Sequence, residues 1–386
     1  MRPAMERPVR ALTMNRRWGL AFATCCVAAA VYGRCAVYDA SLLVDGAAVD
    51  APITSDAGDA GSGCAHLLPP PRPSADDPSD GGDVEFVAVI NLVNFGLDGG
   101  IHGFDLDRTC TCPGPETCVP SATAKPHCDG EGGTDNSGGA LVANFAQLSP
   151  QFDPSGANNT LQEGRGGLVI RVSGYNGTNN DTSVIVDIFI SNGTVPLDDA
   201  GNNPLPLHDG TDQWGVDPGS LVGTPPPYVA AHEDSAAYVT GGVLVGTVDF
   251  PLGLGLLSPD FLQLHGAYVT ATIVSTPQGT ALQNGIISGR WDTRNLLTGM
   301  AQVKDPFDKT QYLCGTDPTY LTFKKSICEA ADITRLVQND NTNAPCDALS
   351  LAIGFTAEAA QFGGVLPLNK VLPAPCGTSY SDQCGN

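Results

Sequence analysis

The stretch TSVIVDIFIS, Thr182 to Ser191, decides how the chain is read. Val184, Val186, Ile188 and Ile190 fall on one face at a spacing of two, the period of an extended strand. Ile185 and Phe189 flank Asp187 on the other face. Such a strand is covered fully on one side and partly on the other. Outward from it, VEFVAVINLV (84–93), GGLVIRVSGY (166–175), YVTGGVLVGTVDF (238–250), HGAYVTATIVS (265–275) and ALQNGIISGRW (281–291) are built alike, β-branched and bounded by Gly, Asn and Asp. DALSLAIGFTAE (347–358) places Leu349, Leu351, Ile353 and Phe355 on one side. Helices are fewer. Asp135-Asn136 can cap one over Ser137–Leu148, where Leu141, Phe145 and Leu148 share a stripe, and Tyr320–Val337 carries a second. The pattern predicts a mainly β, disulfide-bonded fold: an antiparallel β-sandwich, jelly-roll-like, with a few inserted helices.

The amino-terminal residues read as an export signal. Arg2, Arg7, Arg10, Arg16 and Arg17 precede the uncharged run WGLAFATCCVAAAVY (18–32), which Arg34 ends. A basic head before an apolar core of 15 residues is the signal-peptide pattern, and the core is shorter than a spanning helix needs. Met14 is an alternative start, and Arg16-Arg17 an alternative twin-arginine element. Cys35 stands where a bacterial lipoprotein carries its lipid, with ordinary cleavage after Ala28-Ala29-Ala30 as the rival reading. Cysteine parity favours lipidation. Of 13 cysteines, Cys25 and Cys26 leave with the signal, and assigning Cys35 to the lipid leaves an even ten. The predicted division is a signal over 1–34, an acidic Pro/Gly/Ala/Asp-rich tether over 35–83, a β-rich body over 84–365 and a cysteine-containing tail over 366–386. A tether of about 45 residues reaches roughly 35–40 Å.

Charge narrows the partners. The chain holds 19 basic and 41 acidic residues, and six of the basic ones lie in the first 34 positions. A body so acidic repels phosphate backbones, which excludes nucleic acid. The membrane enters as a partner through the lipid anchor alone. Location follows as the cell envelope, at the outer membrane or the cell surface, with plain secretion as the alternative.

The ten remaining cysteines are Cys64, Cys110, Cys112, Cys118, Cys128, Cys314, Cys328, Cys346, Cys376 and Cys384. An oxidising compartment and the absence of any C-x-x-C point to disulfides over zinc or redox chemistry. Cys110 and Cys112 are too close in sequence to pair with each other comfortably. The simplest expectation sends them to Cys118 and Cys128. Cys314–Cys346, Cys376–Cys384 and Cys64–Cys328 then complete the set.

Around that cysteine loop lies the candidate metal site. Asp105-Leu106-Asp107 precedes it, and Asp129-Gly130-Glu131-Gly132-Gly133-Thr134-Asp135-Asn136 follows. A D-x-D pair and a glycine-rich turn offer the mixed oxygens that calcium takes. The expected ligands are Asp105, Asp107, Asp129, Asp135 and Asn136. The loop is not an EF-hand, because Thr134 stands where that motif requires glycine. The competing reading assigns the same residues to Asx turns and a helix cap.

Phe104-Asp105-Leu106-Asp107, the cysteine loop and Asp129-Gly130 through Asp135-Asn136 also carry a resemblance. With Cys35-Ala-Val-Tyr-Asp39, Pro70-Pro71-Arg72-Pro73 and Cys346-Asp347 through Gly354-Phe355, the chain resembles a group of uncharacterised exported lipoproteins of myxobacteria and related bacteria. The resemblance implies a lipid anchor and implies no substrate. Arg34 departs from the small residue usual before the cysteine in that group.

No G-x-S-x-G, H-E-x-x-H or phosphate-binding glycine loop occurs in the chain, so no catalytic residue is assigned. His208-Asp209 and His232-Glu233-Asp234 are the histidines beside acids. Two function classes follow. The first is a non-enzymatic structural or binding lipoprotein with a protein or glycan partner. The alternative is a calcium-dependent carbohydrate-active β-sandwich, a binding module or hydrolase, which a cleft holding Trp214 or Trp291 beside paired carboxylates would favour.

Overall fold

A computed structural model of the chain describes residues 65–74, 81–96, 103–112, 114–125, 127–148, 155–252, 262–367, 375–377 and 380–385. The described residues all belong to one compact unit within Ile53–Asn386. The export signal, Cys35 and Cys64 lie outside the described residues.

The ten strands are β1 (Val84–Asn94), β2 (Gly167–Tyr175), β3 (Asp181–Val195), β4 (Gln213–Val216), β5 (His232–Thr240), β6 (Val243–Pro251), β7 (Gln263–Thr276), β8 (Gly279–Asp292), β9 (Ala348–Ala359) and β10 (Gln361–Val365). They form one sheet in the order β10-β4-β3-β2-β1-β9-β8-β7-β6-β5, and β5 pairs back onto β3. Eight strands therefore close into an antiparallel barrel. The mainly β expectation holds, while a single closed sheet replaces the two facing sheets of a sandwich. The length of β3 makes closure feasible. Its first half, Asp181 to Ile188, pairs with β5, and its second half, Ser191 to Val195, pairs with β4. β4 and β10 leave the ring as a small flap, and their mutual pairing is parallel.

Alternation sorts side chains between the inside and the outside of the ring. Ala88, Ile170 and Ile188 are register partners that join the main core, as do Val184, Val186 and Ile190 of β3 and Leu349, Leu351, Ile353 and Phe355 of β9. One residue along, Val89, Val169 and Phe189 face outward and build a second core with Trp214 and Val216 of the flap. This is the half-covered face legible in the sequence of β3. Further along that outer face, Arg171, Asp187 and Glu233 sit side by side, with an Arg171–Asp187 ion pair at 2.6 Å. The larger apolar cluster lies inside the ring, and the outward-facing Val89, Val169 and Phe189 of β1, β2 and β3 are covered by the flap.

Among the described residues, four helices accompany the barrel: α1 (Ser137–Leu148), α2 (Ser155–Gln162), α3 (Thr293–Met300) and α4 (Pro318–Ala330). α1 matches its expected bounds. α4 begins where Asp317 accepts from the N–H groups of Thr319 and Tyr320 with Pro318 in the first turn, a strong start signal. It ends at Ala330, short of the expected Val337. α1 packs against β9 and α4, with Phe145 edge-on to Phe323 at 4.8 Å.

The disulfides differ from the simplest expectation. Cys112 pairs with Cys128, Cys118 with Cys346, Cys314 with Cys376 and Cys328 with Cys384. Cys110 is bonded too, to a partner outside the described residues. Cys110 and Cys112 do take different partners. Cys314–Cys346 and Cys376–Cys384 are replaced because the tail runs back along α4: Asp382 accepts from the Tyr320 hydroxyl at 2.6 Å and from Lys324 at 2.7 Å. The Cys64–Cys328 pairing fails for the same reason, since Cys384 holds Cys328. Part of the predicted tether also packs on the body. Arg72 lies over the Tyr238 ring, Tyr238 donates to the Pro70 carbonyl, and Leu67 exchanges backbone hydrogen bonds with Gly132 and Asp105.

Candidate cation site

The outer wall of the barrel at β8 and β9 forms the floor of the site. Alternation that sends Ile287, Leu351 and Ile353 inward sends Ser288, Arg290, Ser350 and Ala352 outward. Across this wall lies the segment Gly103–Asp107. Its approach depends on Gly103, which sits at φ +70° with its missing Cβ only 2.6 Å from the Ala352 Cβ. Phe104 packs edge-on to Tyr268 at 5.8 Å, and Leu106 joins a small cluster with Ile333. Arg290 then ties three segments together. It makes a two-pronged pair with Asp340 at 2.8 and 2.6 Å and donates to the carbonyls of Thr334 and Leu106.

The aspartates converge on this scaffold. Leu106 N donates to Asp135 at 2.7 Å, and Thr111 N to Asp129 at 2.5 Å. Asp107 accepts from Thr117 Oγ1 at 2.5 Å and from Thr109 N at 2.9 Å. Asp332 accepts from the Ser350 hydroxyl and backbone N–H. Asp107, Asp129, Asp135 and Asp332 line one small cavity, with His127 and Lys125 at its margin. About 10 Å³ is open there to the centre of a water-sized sphere, room for one particle. Asp105 stands beside Asp107 and Asp135, one oxygen from each lying within 4.8 Å of the others. Its Oδ2 pairs with His66 Nδ1 at 2.5 Å, while its Oδ1 is buried without a hydrogen-bond partner. Gly133 permits this crowding, since a Cβ there would lie 2.9 Å from both Asp105 Oδ2 and Cys110 Sγ.

Burial sets the electrostatics. It is the chief cause of the upward shift in all five carboxyls. Asp105 and Asp340 add to it for Asp107, which reaches about 6 against the pull of Thr117 and Thr109. Asp129 is pushed up to about 7 and Asp135 to about 10, each by burial and then by its neighbouring aspartates. Two unit charges about 4 Å apart repel by roughly 4 kcal/mol at an effective dielectric of about 20. Several such pairs rival a domain's whole stability of ~5–15 kcal/mol. The cluster can therefore stay together only by binding protons or a cation.

No family model, curated protein or solved structure matches the chain. Function must be argued from the site alone.

The donor set is one of hard oxygens. Calcium takes six to eight such oxygens at ~2.3–2.6 Å, and one oxygen each from Asp105, Asp107 and Asp135 lies within 4.8 Å of the others. Cys110 lies near His66 and Asp105 but is disulfide-bonded and offers no thiolate. Of the residues expected from the sequence, Asp105, Asp107, Asp129 and Asp135 come together. Asn136 is occupied elsewhere: its Oδ1 accepts from Gly139 N, capping α1, and from Ala352 N of β9. Turn chemistry and clustering thus coexist. Asp332, His66, His127, Thr117 and Arg290 had no local signal, because distant segments bring them in. Trp214 and Trp291 are buried in the two cores. His208 pairs with Glu358 rather than its neighbour Asp209, and His232 with the Asp249 carbonyl.

Proposed function

We propose that the protein is a non-catalytic lipoprotein of the cell envelope, exported and anchored through Cys35, that serves as a structural or binding protein with calcium built into its wall. The convergence of Asp105, Asp107, Asp129, Asp135 and Asp332 carries the calcium part of this reading. Anchoring rests on the basic head, the apolar run and the cysteine parity. A barrel filled by its own side chains leaves the outer surface for any protein or glycan partner. The carbohydrate-active alternative loses its support with Trp214 and Trp291 buried, since neither can stack on a sugar.

Thermal melting of the calcium-stripped mature chain tests the metal. Added calcium raises the melting temperature by mass action on the folded state, equivalent to about 2.7 kcal/mol at a hundredfold excess over Kd. An unchanged melting temperature at millimolar calcium removes the metal from the proposal. Fractionation tests the anchor independently. Wild type partitions with membranes in a bacterial host and Cys35→Ser does not; equal solubility of the two defeats the lipoprotein reading.

A further inference from the structure

A different group of polar side chains gathers where β1, β9 and the loop before β4 meet. Glu358 of β9 is held at both oxygens: Oε1 pairs with His208 Nδ1, and Oε2 accepts from Asn91 Nδ2 of β1 at 3.1 Å. Asn91 is itself oriented, because its Oδ1 accepts from Thr356 Oγ1 at 2.8 Å. His208 is fixed from behind by Asp212, whose carboxylate accepts from the backbone N–H groups of Leu207 and His208 at 2.8 and 2.7 Å. One ligating atom from each of His208, Asp212 and Glu358 lies within 4.8 Å of the other two. His208 and Glu358 line a cavity of about 270 Å³, whose other polar walls include Thr276, Gln278 and Gln283.

We propose that His208, Asp212 and Glu358 form a second metal site, for a borderline divalent transition ion such as zinc, with coordination positions open to this cavity. Donor chemistry separates it from the aspartate cluster. An imidazole nitrogen with two carboxylates suits zinc and its neighbours, whereas calcium seeks oxygen alone. The charges balance, since two carboxylates and a neutral imidazole meet one dication. Three protein ligands leave a fourth position for water or a small polar ligand, the arrangement of an open zinc site. The ion takes the place of the hydrogen bond between His208 and Glu358. The adjustment is confined to the His208 side chain, which is 37% exposed. Asn91 then does for Glu358 what outer hydrogen-bond partners do for metal ligands, fixing its direction. None of this depends on the calcium proposal.

The test is calorimetric titration of the tag-free mature chain with zinc in saturating calcium, with cobalt absorption as a second readout. One zinc binds per chain, and cobalt gives the visible bands of a low-coordinate site. His208→Gln and Glu358→Gln each weaken zinc by at least about 100-fold. Asn91→Ala weakens it about 10- to 100-fold, the range for loss of an outer partner. All three keep the wild-type far-ultraviolet circular dichroism spectrum, which shows that the barrel is intact. Failure of the wild type to take up stoichiometric zinc overturns the proposal, as does wild-type zinc affinity in His208→Gln.

Discussion

Asp135 accepts a hydrogen bond from Leu106 and faces Asp107, Asp129 and Asp332 from a nearly closed position. Its folded-state pKa, like those of Asp107 and Asp129, lies above the ~3.9 of an unfolded chain. The folded state therefore binds more protons. That contribution to stability is complete below the unfolded value and is lost as pH rises through the folded values, about 6 for Asp107, about 7 for Asp129 and about 10 for Asp135. Calcium-free protein should melt at a progressively lower temperature as pH climbs from 5 to 8, and calcium should flatten that slope. A calcium-free melting temperature that holds steady or rises over this window contradicts the carboxylate burial described for the wall. Asp129→Asn removes a carboxyl that titrates within this window, at about 7. It should soften the pH slope without calcium and shrink the gain with it, both readable by calorimetry.

Elements show what the sequence could and could not reveal. The inward faces of β3 and β9 were legible, because a spacing of two names the buried face directly, although β3 runs on to Val195, past the expected Ser191. Closure was not, because alternation says nothing about which strands become neighbours; the β3–β5 pairing skips over β4. The flap strands of four and five residues are too short to display a period. At the site, the D-x-D pair and the glycine-rich turn announced four carboxylates, while Asp332 arrives from the segment after α4 with no marker of its own. The lie of the Gly103–Asp107 segment on the wall gives a test at this scale. Gly103→Ala meets both a left-handed backbone and the Ala352 Cβ at 2.6 Å. The backbone term alone is roughly 1–3 kcal/mol. Gly201, at φ +81° with nothing near its Cβ position, carries the backbone term without the contact. Denaturant titration should find Gly103→Ala clearly less stable than Gly201→Ala, and weaker for calcium as well. Equal losses would mean that the segment does not rest on the wall.

Across the whole molecule, disulfides tie the accessory segments to one another and to the start of β9. Cys118–Cys346 spans 228 residues and joins the cysteine loop to the chain just before β9. Replacing both by alanine should cost about 2–4 kcal/mol. It should also lower calcium affinity, because the loop bearing Asp129 is freed at one end; non-reducing peptide mapping fixes the connectivity itself. Undiminished stability and calcium binding in the double variant would leave that bond without a role in the site. The pairing of β1 with β9, Ala88 opposite Ala359, has a further consequence in time. A chain synthesised from its amino terminus presents β1 early and β9 late. Until then one edge of β1 lies bare, and an uncovered edge recruits whatever strand is nearest. Such long-range pairing also slows folding. The interval between emergence and ring closure thus leaves that edge open, and a holdase that shields β1 should raise the yield more than any catalyst of local turns.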